Sequence, residues 1–114
     1  MRIRGIVVDG KNKGEKIGFP TVNLRLDKES VASVGAGVYA GKIFLENGEK
    51  KVAIFIDSQR NLLEAHVLDF SGNLRGKTIE LEIGRKLREI VNFSNEADLV
   101  AQIARDVEKI RDME

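Results

Sequence analysis

The sequence predicts a mainly β protein, with about six short strands arranged as a barrel or a sandwich and one C-terminal helix. Two observations predict this class. Short runs rich in β-branched residues recur along the chain with turn residues between them. Near the C-terminus the apolar residues change to helical spacing, at Leu99, Ile103, Val107 and Ile110. We expect this helix, at about residues 95–112, to lay its apolar stripe on the outside of the strands.

The strands are expected within about residues 2–85, separated by glycine-rich or polar connections. Asn47-Gly48 predicts a tight hairpin, because both central residues of a type I′ turn need positive φ. Residues 27–36 are polar and irregular in pattern, so we expect no regular element there. Either Ser94 or Asn95 can cap the terminal helix. The strand-like segments are 2–9, 21–26, 37–46, 49–57, 62–69 and 78–83.

Composition limits the possible functions. The length of 114 residues suits one domain, residues 1–114. The chain has no cysteine and a single histidine, which excludes disulfides, thiolate nucleophiles and a multi-histidine metal site within one chain. A net charge of +1 gives no electrostatic footprint for nucleic acid. Since we find neither a membrane-spanning apolar run nor a signal peptide, we expect a cytoplasmic protein that binds neither nucleic acid nor membrane.

The first segment with chemical content is residues 10–18, which contains three glycines and three lysines. Glycines let backbone N–H groups crowd around an anion, and lysines add positive charge, so this segment could cradle a polyphosphate. A solvated surface loop is the alternative, and on this segment alone it is the preferred interpretation. The segment is not a Walker A loop, because its spacing differs and no Lys-Ser or Lys-Thr pair closes it.

Thr21 and Asn23 stand two residues apart at the start of the second predicted strand, so their side chains share one face. They could offer two neutral oxygens to one site. Mg²⁺ prefers hard oxygen ligands and binds mainly through substrate phosphates, which suits an uncharged pair. The alternative is a β-branched strand residue followed by a turn-capping asparagine.

Glu64 and His66 share one face of a mostly apolar strand. A carboxylate in such a place is costly unless it is paired, solvated or used. Glu64 is therefore either a general base or a rim residue paired with a lysine, and the residues alone leave the two interpretations even. His66 is expected to be a hydrogen-bonded structural group.

Two specific pieces of the sequence resemble the flavokinase (riboflavin kinase) family. Gly10-x3-Gly14-x3-Gly18-Phe-Pro-Thr-x-Asn is similar to the family's Mg-ATP-binding segment, with Val22 where alanine is usual. Glu64-x-His66, followed by an apolar run and an aromatic residue, is similar to the pattern around the family's catalytic glutamate. Weaker similarities lie at residues 74–77, 86–93 and in the terminal helix at Leu99, Gln102, Ile103 and Asp106.

The resemblance implies a six-stranded Greek-key β-barrel that transfers the γ-phosphoryl group of Mg-ATP to the 5′-hydroxyl of riboflavin, giving FMN and ADP. It implies that Glu64 is the catalytic residue, that Thr21 and Asn23 bind the metal, and that Arg88 and Phe93 lie on the flavin side. We expect a monomer. The resemblance assigns ATP binding to Gly10, Lys13, Gly14, Lys16, Gly18, Pro20 and Thr21.

Residues 54–60 depart from the family pattern, because they are shorter and lack its Asn-Ile-Gly-x-x-Pro loop. Many bacterial relatives also carry an adenylyltransferase domain that makes FAD; we expect none in this chain. Two alternatives stay open: a non-catalytic flavin- or nucleotide-binding barrel, and a nucleic-acid-binding barrel, which the 5% aromatic content disfavours. Residues 35–40 fit G-x-G-x-x-A, but they run into a β-rich segment and so predict the start of a strand.

Overall fold

The computed structural model describes residues 1–8, 17–26, 28–57 and 61–113. Within these ranges no helix has the length and apolar character needed to cross a bilayer. The described residues form two helices, α1 Lys28–Val34 and α2 Glu96–Arg111. They also form six strands: β1 Arg2–Val8, β2 Val22–Arg25, β3 Gly37–Leu45, β4 Gly48–Asp57, β5 Leu62–Val67 and β6 Thr78–Arg88.

The strands close into a barrel in the order β1-β2-β5-β4-β3-β6, and every neighbouring pair is antiparallel. Strands β3, β4 and β5 follow one another as neighbours, whereas β2 lies beside β5 at the far side of this group. That arrangement is a Greek key. Strand β6 closes the barrel, because it pairs with both β1 and β3. The predicted six-stranded Greek-key barrel with a C-terminal helix is confirmed.

Apolar side chains from alternate strand positions fill the barrel. The strand pleat sends successive side chains to opposite faces, so each interior residue has outward-facing neighbours along its strand. On β5, for example, Leu63 and Ala65 are fully buried in the interior, and Glu64 and His66 lie on the outer wall. The polar side chains of β5 that the sequence singled out, Glu64 and His66, therefore lie on the outer surface of the barrel. Interior side chains include Leu24, Ile43, Val52, Ile54, Ile56, Leu63, Ala65 and Leu81.

Helix α2 covers part of the outer wall. Ile103, Val107 and Ile110 pack against the small residues Ala40 and Ala53, which let the helix approach the sheet closely. The Asn95 side chain caps the start of the helix by accepting a 2.9 Å hydrogen bond from the backbone N–H of Asp98. At the other end, the Lys51 ammonium group donates to the carbonyl of Arg111 at 2.7 Å. Both ends of the helix are therefore fixed.

Three details differ from the sequence-based expectations. Helix α1 occupies most of the segment that was expected to lack a regular element, and β6 continues to Arg88, past residue 85. The β3–β4 hairpin turns at residues 46–47, one position earlier than expected, and Gly48 with φ 126° opens β4. The end of α1 is fixed from the following strand, since the Tyr39 hydroxyl donates to the carbonyl of Val34 at 2.7 Å.

Candidate active site

Asn23, Glu64 and Phe55 lie side by side on the outer wall of the barrel. Asn23 on β2 pairs directly with Glu64 on β5, and Glu64 pairs in turn with Phe55 on β4. Directly opposite residues in an antiparallel sheet have their Cβ atoms about 4.5–5.5 Å apart. The pairing of three strands therefore places an amide, a carboxylate and an aromatic ring in one row.

A cleft of about 220 Å³ opens on the outer wall over Glu64 and Phe55, whereas Asn23, a predicted metal ligand, is absent from its lining among the described residues. Thr21 and Glu64 both line it, and so do Arg88 and Phe93. The structure thus brings together the hydroxyl, the acid and both flavin-side candidates that the sequence singled out. A mainly apolar cleft with a few polar groups is typical of a small-molecule site. The remaining lining residues are Ile17, Phe19, Phe55, Asp57, Leu62, His66, Ile90, Val91, Leu99 and Ile103.

Asn23 lies below the surface of this region, and it is only 5% exposed. Its Oδ1 atom is buried and has no hydrogen-bond partner among the described residues. Because a buried polar atom without a partner costs about 1–3 kcal/mol, such an atom calls for a ligand or another explanation. An amide oxygen two residues from the Thr21 hydroxyl fits a hard divalent cation.

Acidic residues do not form a metal site by themselves in the described ranges. No group of three or more His, Cys, Asp or Glu side chains there could hold a metal ion. Uncharged donors such as Thr21 and Asn23 suit a cation whose charge is balanced by a bound polyphosphate. The donor set therefore fits Mg²⁺ arriving with a nucleotide.

His66 fixes the segment that leads into β2. Its Nδ1 atom lies 2.8 Å from the carbonyl oxygen of Pro20, and since a carbonyl only accepts, Nδ1 carries the proton. The Phe19 ring meets the imidazole edge-on, with centroids 5.4 Å apart. Gly18 precedes this segment with φ 90°, a conformation that favours glycine. His66 thus holds the chain immediately before Thr21.

Arg88 ends β6 and is tied to helix α2. Its Nη2 atom donates to Oδ2 of Asp106 at 2.7 Å, and its Nε atom donates to Oδ1 at 3.0 Å. The Asp106 side chain is 5% exposed and that of Arg88 is 20% exposed. Gln102 donates a further 3.1 Å hydrogen bond to Oδ1 of Asp106. Arg88 in the cleft wall is thus held from behind by a largely buried, hydrogen-bonded ion pair with Asp106.

Some of the proposed ATP-binding residues do not line the cleft. Gly18 and Pro20 precede β2 but are absent from the cleft lining among the described residues. The sequence-based reasoning also missed Phe55, although its place between interior Ile54 and Ile56 predicts an outward-facing aromatic side chain. The predicted residues Gly10, Lys13, Gly14 and Lys16 lie outside the described residues.

The fold and the cleft together define a Greek-key barrel protein with a candidate small-molecule site on its outer wall, which has an acid and a neutral oxygen donor in its lining. The sequence matches the flavokinase family, described as riboflavin kinase, over residues 1–114. The chain therefore belongs to the riboflavin kinase family.

Similar proteins agree with this assignment. The chain is 40% identical over 114 residues to the bifunctional riboflavin kinase/FMN adenylyltransferase of Haemophilus influenzae, covering 94% of this chain but 36% of that protein. The riboflavin kinase of Trypanosoma brucei superposes with a TM-score of 0.74 at 25% identity, covering 98% of this chain and 75% of that chain. A macrolide-efflux protein from Streptococcus pneumoniae shares the fold, with a TM-score of 0.81 at 23% identity, covering 99% of this chain and 39% of that chain.

Proposed function

We propose that this chain is an ATP-dependent riboflavin kinase, which transfers the γ-phosphoryl group of ATP to the 5′-hydroxyl of riboflavin and releases FMN and ADP. Family membership over residues 1–114 supports the class of reaction. The observation that carries the proposal is the direct pairing of Asn23 with Glu64, which lines the cleft together with Thr21. It puts a candidate base next to candidate ligands of a nucleotide-bound cation.

Glu64 is assigned the role of general base for the attacking 5′-hydroxyl. Its carboxylate accepts the proton of the 5′-hydroxyl as the oxygen forms a bond to the γ-phosphorus. The bond between the γ-phosphorus and the β–γ bridging oxygen breaks, and its electron pair leaves with ADP. Phosphoryl transfer depends mostly on positioning and on neutralising charge, so the contribution of the protein is to hold the hydroxyl in line.

Thr21 and Asn23 are assigned to the nucleotide side. Their oxygens would hold Mg²⁺ or another divalent cation, which when bound neutralises charge on the transferred phosphoryl group. The buried Oδ1 atom of Asn23, which lacks a described partner, supports this role. The proposal assigns the ATP phosphates and their surroundings to Gly10, Lys13, Gly14, Lys16, Gly18, Pro20 and Thr21.

The apolar part of the cleft is assigned to riboflavin. A flat isoalloxazine ring suits a surface formed by Phe55, Phe93 and aliphatic side chains, because aromatic and aliphatic groups bury a planar ring at little cost. Arg88 lies on the same side. Two of its N–H groups remain for a ligand after its bonds to Asp106 and to the Glu89 carbonyl are counted.

We also propose an oligomeric state and a cellular location for this activity. We assign the activity to a monomer in the cytoplasm, where ATP is available, that binds riboflavin and ATP without a nucleic-acid or membrane partner. Light scattering of the purified chain tests the monomer. A mass near twice 12.7 kDa would contradict it.

The test of the function is to incubate the purified chain with riboflavin, ATP and Mg²⁺ and to separate the flavins by chromatography. We expect FMN and ADP to form in equal amounts. We expect no formation of either product when EDTA has removed the metal. Quenching of riboflavin fluorescence without any FMN would instead support a non-catalytic flavin-binding barrel. Absence of both would reject the assignment of this cleft to riboflavin.

A further inference from the structure

Residues 89–93 connect β6 to the region before α2 without regular secondary structure. This segment carries Ile90, Val91 and Phe93 to the wall of the cleft. Ile90 is 39% exposed and Val91 is 54% exposed. A segment with few buried apolar contacts has little packing of its own to hold it in place. Its position must therefore depend on what fixes its ends.

The first residue of this segment is held by a series of contacts that begins in helix α2. The Nη1 atom of Arg88 donates to the backbone carbonyl of Glu89 at 3.0 Å. On its other side the same guanidinium is held by two atoms of Asp106, at 2.7 and 3.0 Å. Gln102, one turn earlier in the helix, donates to Asp106 at 3.1 Å. The helix is thus connected to the start of the cleft wall through a rigid, planar group.

Stability alone does not explain a buried ion pair at this place. Burying two charges costs desolvation energy that their attraction barely offsets, and apolar replacements of similar volume are often as stable or more stable. A bidentate Arg–carboxylate pair does provide fixed geometry, because the planar guanidinium matches the two carboxylate oxygens. We therefore infer that the ion pair between Arg88 and Asp106 serves to orient the Arg88 side chain rather than to stabilise the fold.

We propose that Asp106 is a positioning residue, which orients Arg88 so that residues 89–93 form a preorganised wall for riboflavin. This inference rests on the proposed function, since that wall is the one assigned to the flavin. Asp106 itself does not line the cleft among the described residues, so its effect must pass through Arg88. The consequence is that Asp106 controls riboflavin affinity more than the rate of phosphoryl transfer.

A first variant replaces both charges at once, as Arg88→Met with Asp106→Leu, and measures what the anchored guanidinium contributes in total. Because no charge is left unpaired, we expect the melting temperature to stay equal to that of the wild type or to rise. We expect the KM for riboflavin to increase about tenfold and kcat to change less than about threefold, since misplacing a binding wall mainly weakens binding. Riboflavin fluorescence quenching should give a Kd that increases by the same factor.

The single variant Asp106→Asn is the decisive one, because it leaves Arg88 in the cleft wall and changes only the group that holds it. It keeps the shape of the side chain but weakens its hold on Arg88, so riboflavin affinity should fall in the same direction as in the double variant. The effects of Asp106→Asn and Arg88→Met should not add, because both remove one contact. Additive effects would mean that Arg88 binds riboflavin without needing Asp106, and would overturn the inference.

A matched control is available on the same helix. Arg111 donates two hydrogen bonds to Asp69 at 2.7 and 2.8 Å, and this Arg–Asp pair is exposed and away from the cleft. Asp69→Asn should leave both KM and Kd for riboflavin unchanged. A folded double variant at positions 88 and 106 with unchanged KM and Kd would disprove the positioning role, and so would a loss confined to kcat.

The binding measurement separates this inference from the proposed function. If the wild type makes no FMN, the proposed function fails, but fluorescence quenching still measures riboflavin affinity in the wild type and in every variant. A lower affinity in the Asp106 variants, with normal affinity in the control, supports the positioning role independently of turnover. Equal riboflavin affinity in the wild type, the Asp106 variants and the control contradicts it.

Discussion

Glu64 lies where the barrel can present a carboxylate to the cleft without placing it in the core. Its neighbours on β5, Leu63 and Ala65, are fully buried in the interior, and the pleat turns Glu64 outward. Because the outer wall is half open there, the charge avoids the cost of full burial. Asn23 and Phe55, which pair with Glu64 from either side, limit the space around it.

We expect Glu64→Gln to fold like the wild type and to lose about 10²–10⁴ in kcat, which is the usual contribution of a general base. The amide keeps the size of the side chain but cannot take a proton. Initial rates of FMN formation measure the loss, and circular dichroism checks the fold. Glu49→Gln, which removes an exposed carboxylate beside Lys42, is the matched control. A kcat within tenfold of the wild type would exclude Glu64 as the base.

A second prediction concerns His66, which holds the carbonyl of Pro20 next to Thr21. We expect His66→Leu to raise the KM for ATP about tenfold, because a displaced β2 entrance no longer presents Thr21 correctly. His66→Asn should recover most of the affinity, since its amide can donate a hydrogen bond from nearly the position of Nδ1. The KM for riboflavin should change little in both variants.

Initial rates over a range of ATP concentrations, at saturating riboflavin, distinguish these outcomes. Equal ATP affinity in His66→Leu and His66→Asn would show that the hydrogen bond to Pro20 is not what matters. A parallel increase in the riboflavin KM would indicate a general loosening of the outer wall instead of a local effect on β2.

Among the helices and strands, sequence patterns predicted best those elements whose apolar residues follow a clear period. Helix α2 has an apolar stripe and a capping asparagine, and both are properties of nearby residues. Helix α1 has only seven residues and lacks such a stripe, so its stability depends on contacts with residues outside the helix. The Tyr39 hydroxyl, which binds the carbonyls of Val34 and Gly35, is one of those contacts.

Part of the candidate site follows the same rule. Alternation along a strand is local, so the shared face of Thr21 and Asn23 could be predicted, and the resemblance to a family indicated Glu64. The ion pair between Arg88 and Asp106 joins β6 to α2, and no local pattern reports which distant acid will meet an arginine. Strand order was likewise beyond periodicity, because it depends on pairings between distant segments.

The attachment of α2 to the barrel should depend on pH. The Arg111 guanidinium, which donates two hydrogen bonds to Asp69, holds the pKa of that carboxyl below its ordinary value of 3.8. A carboxyl whose pKa is lowered by folding stabilises the fold fully above its ordinary pKa, and this stabilisation is lost as the pH falls through the lower folded pKa. The stability difference between wild type and Asp69→Asn should therefore shrink below about pH 4.

Urea unfolding at a series of pH values measures that difference. Asparagine tolerates the positive φ of 55° at this position, so the variant tests the charge and not the backbone. The difference should be small and should decrease with added salt, because the pair is exposed. A difference that stays constant or grows on acidification would contradict the assignment.

At the scale of the whole molecule, the residues that stabilise the fold lie inside the barrel, and the residues assigned to the proposed chemistry lie outside it. The interior is filled by apolar side chains from all six strands, whereas the cleft lies on the outer wall, where its strand residues come from β4, β5 and β6. Each residue of β5 therefore belongs mainly to one side. Closing the sheet makes the outer wall rigid, which suits a reaction that depends on positioning.

This separation predicts opposite effects for two adjacent residues. Leu63 is fully buried inside the barrel, so Leu63→Ala should lower the free energy of unfolding by about 2–5 kcal/mol, because it leaves a cavity in a closed core. The kcat per folded molecule should stay within about threefold of the wild type, since Glu64 keeps its partners Asn23 and Phe55 on the outer wall. Glu64→Gln should show the reverse, with normal stability and little turnover.

Urea unfolding together with FMN formation below the unfolding transition measures both properties on the same preparations. Leu63→Val removes less volume and keeps the comparison possible if the alanine variant does not fold. Because the two faces are joined by one backbone, a core cavity could affect the site only by shifting β5 itself. A lower kcat in Leu63→Val, accompanying its lower free energy of unfolding, would show such a shift of β5. It would mean that changes in the core do alter the cleft.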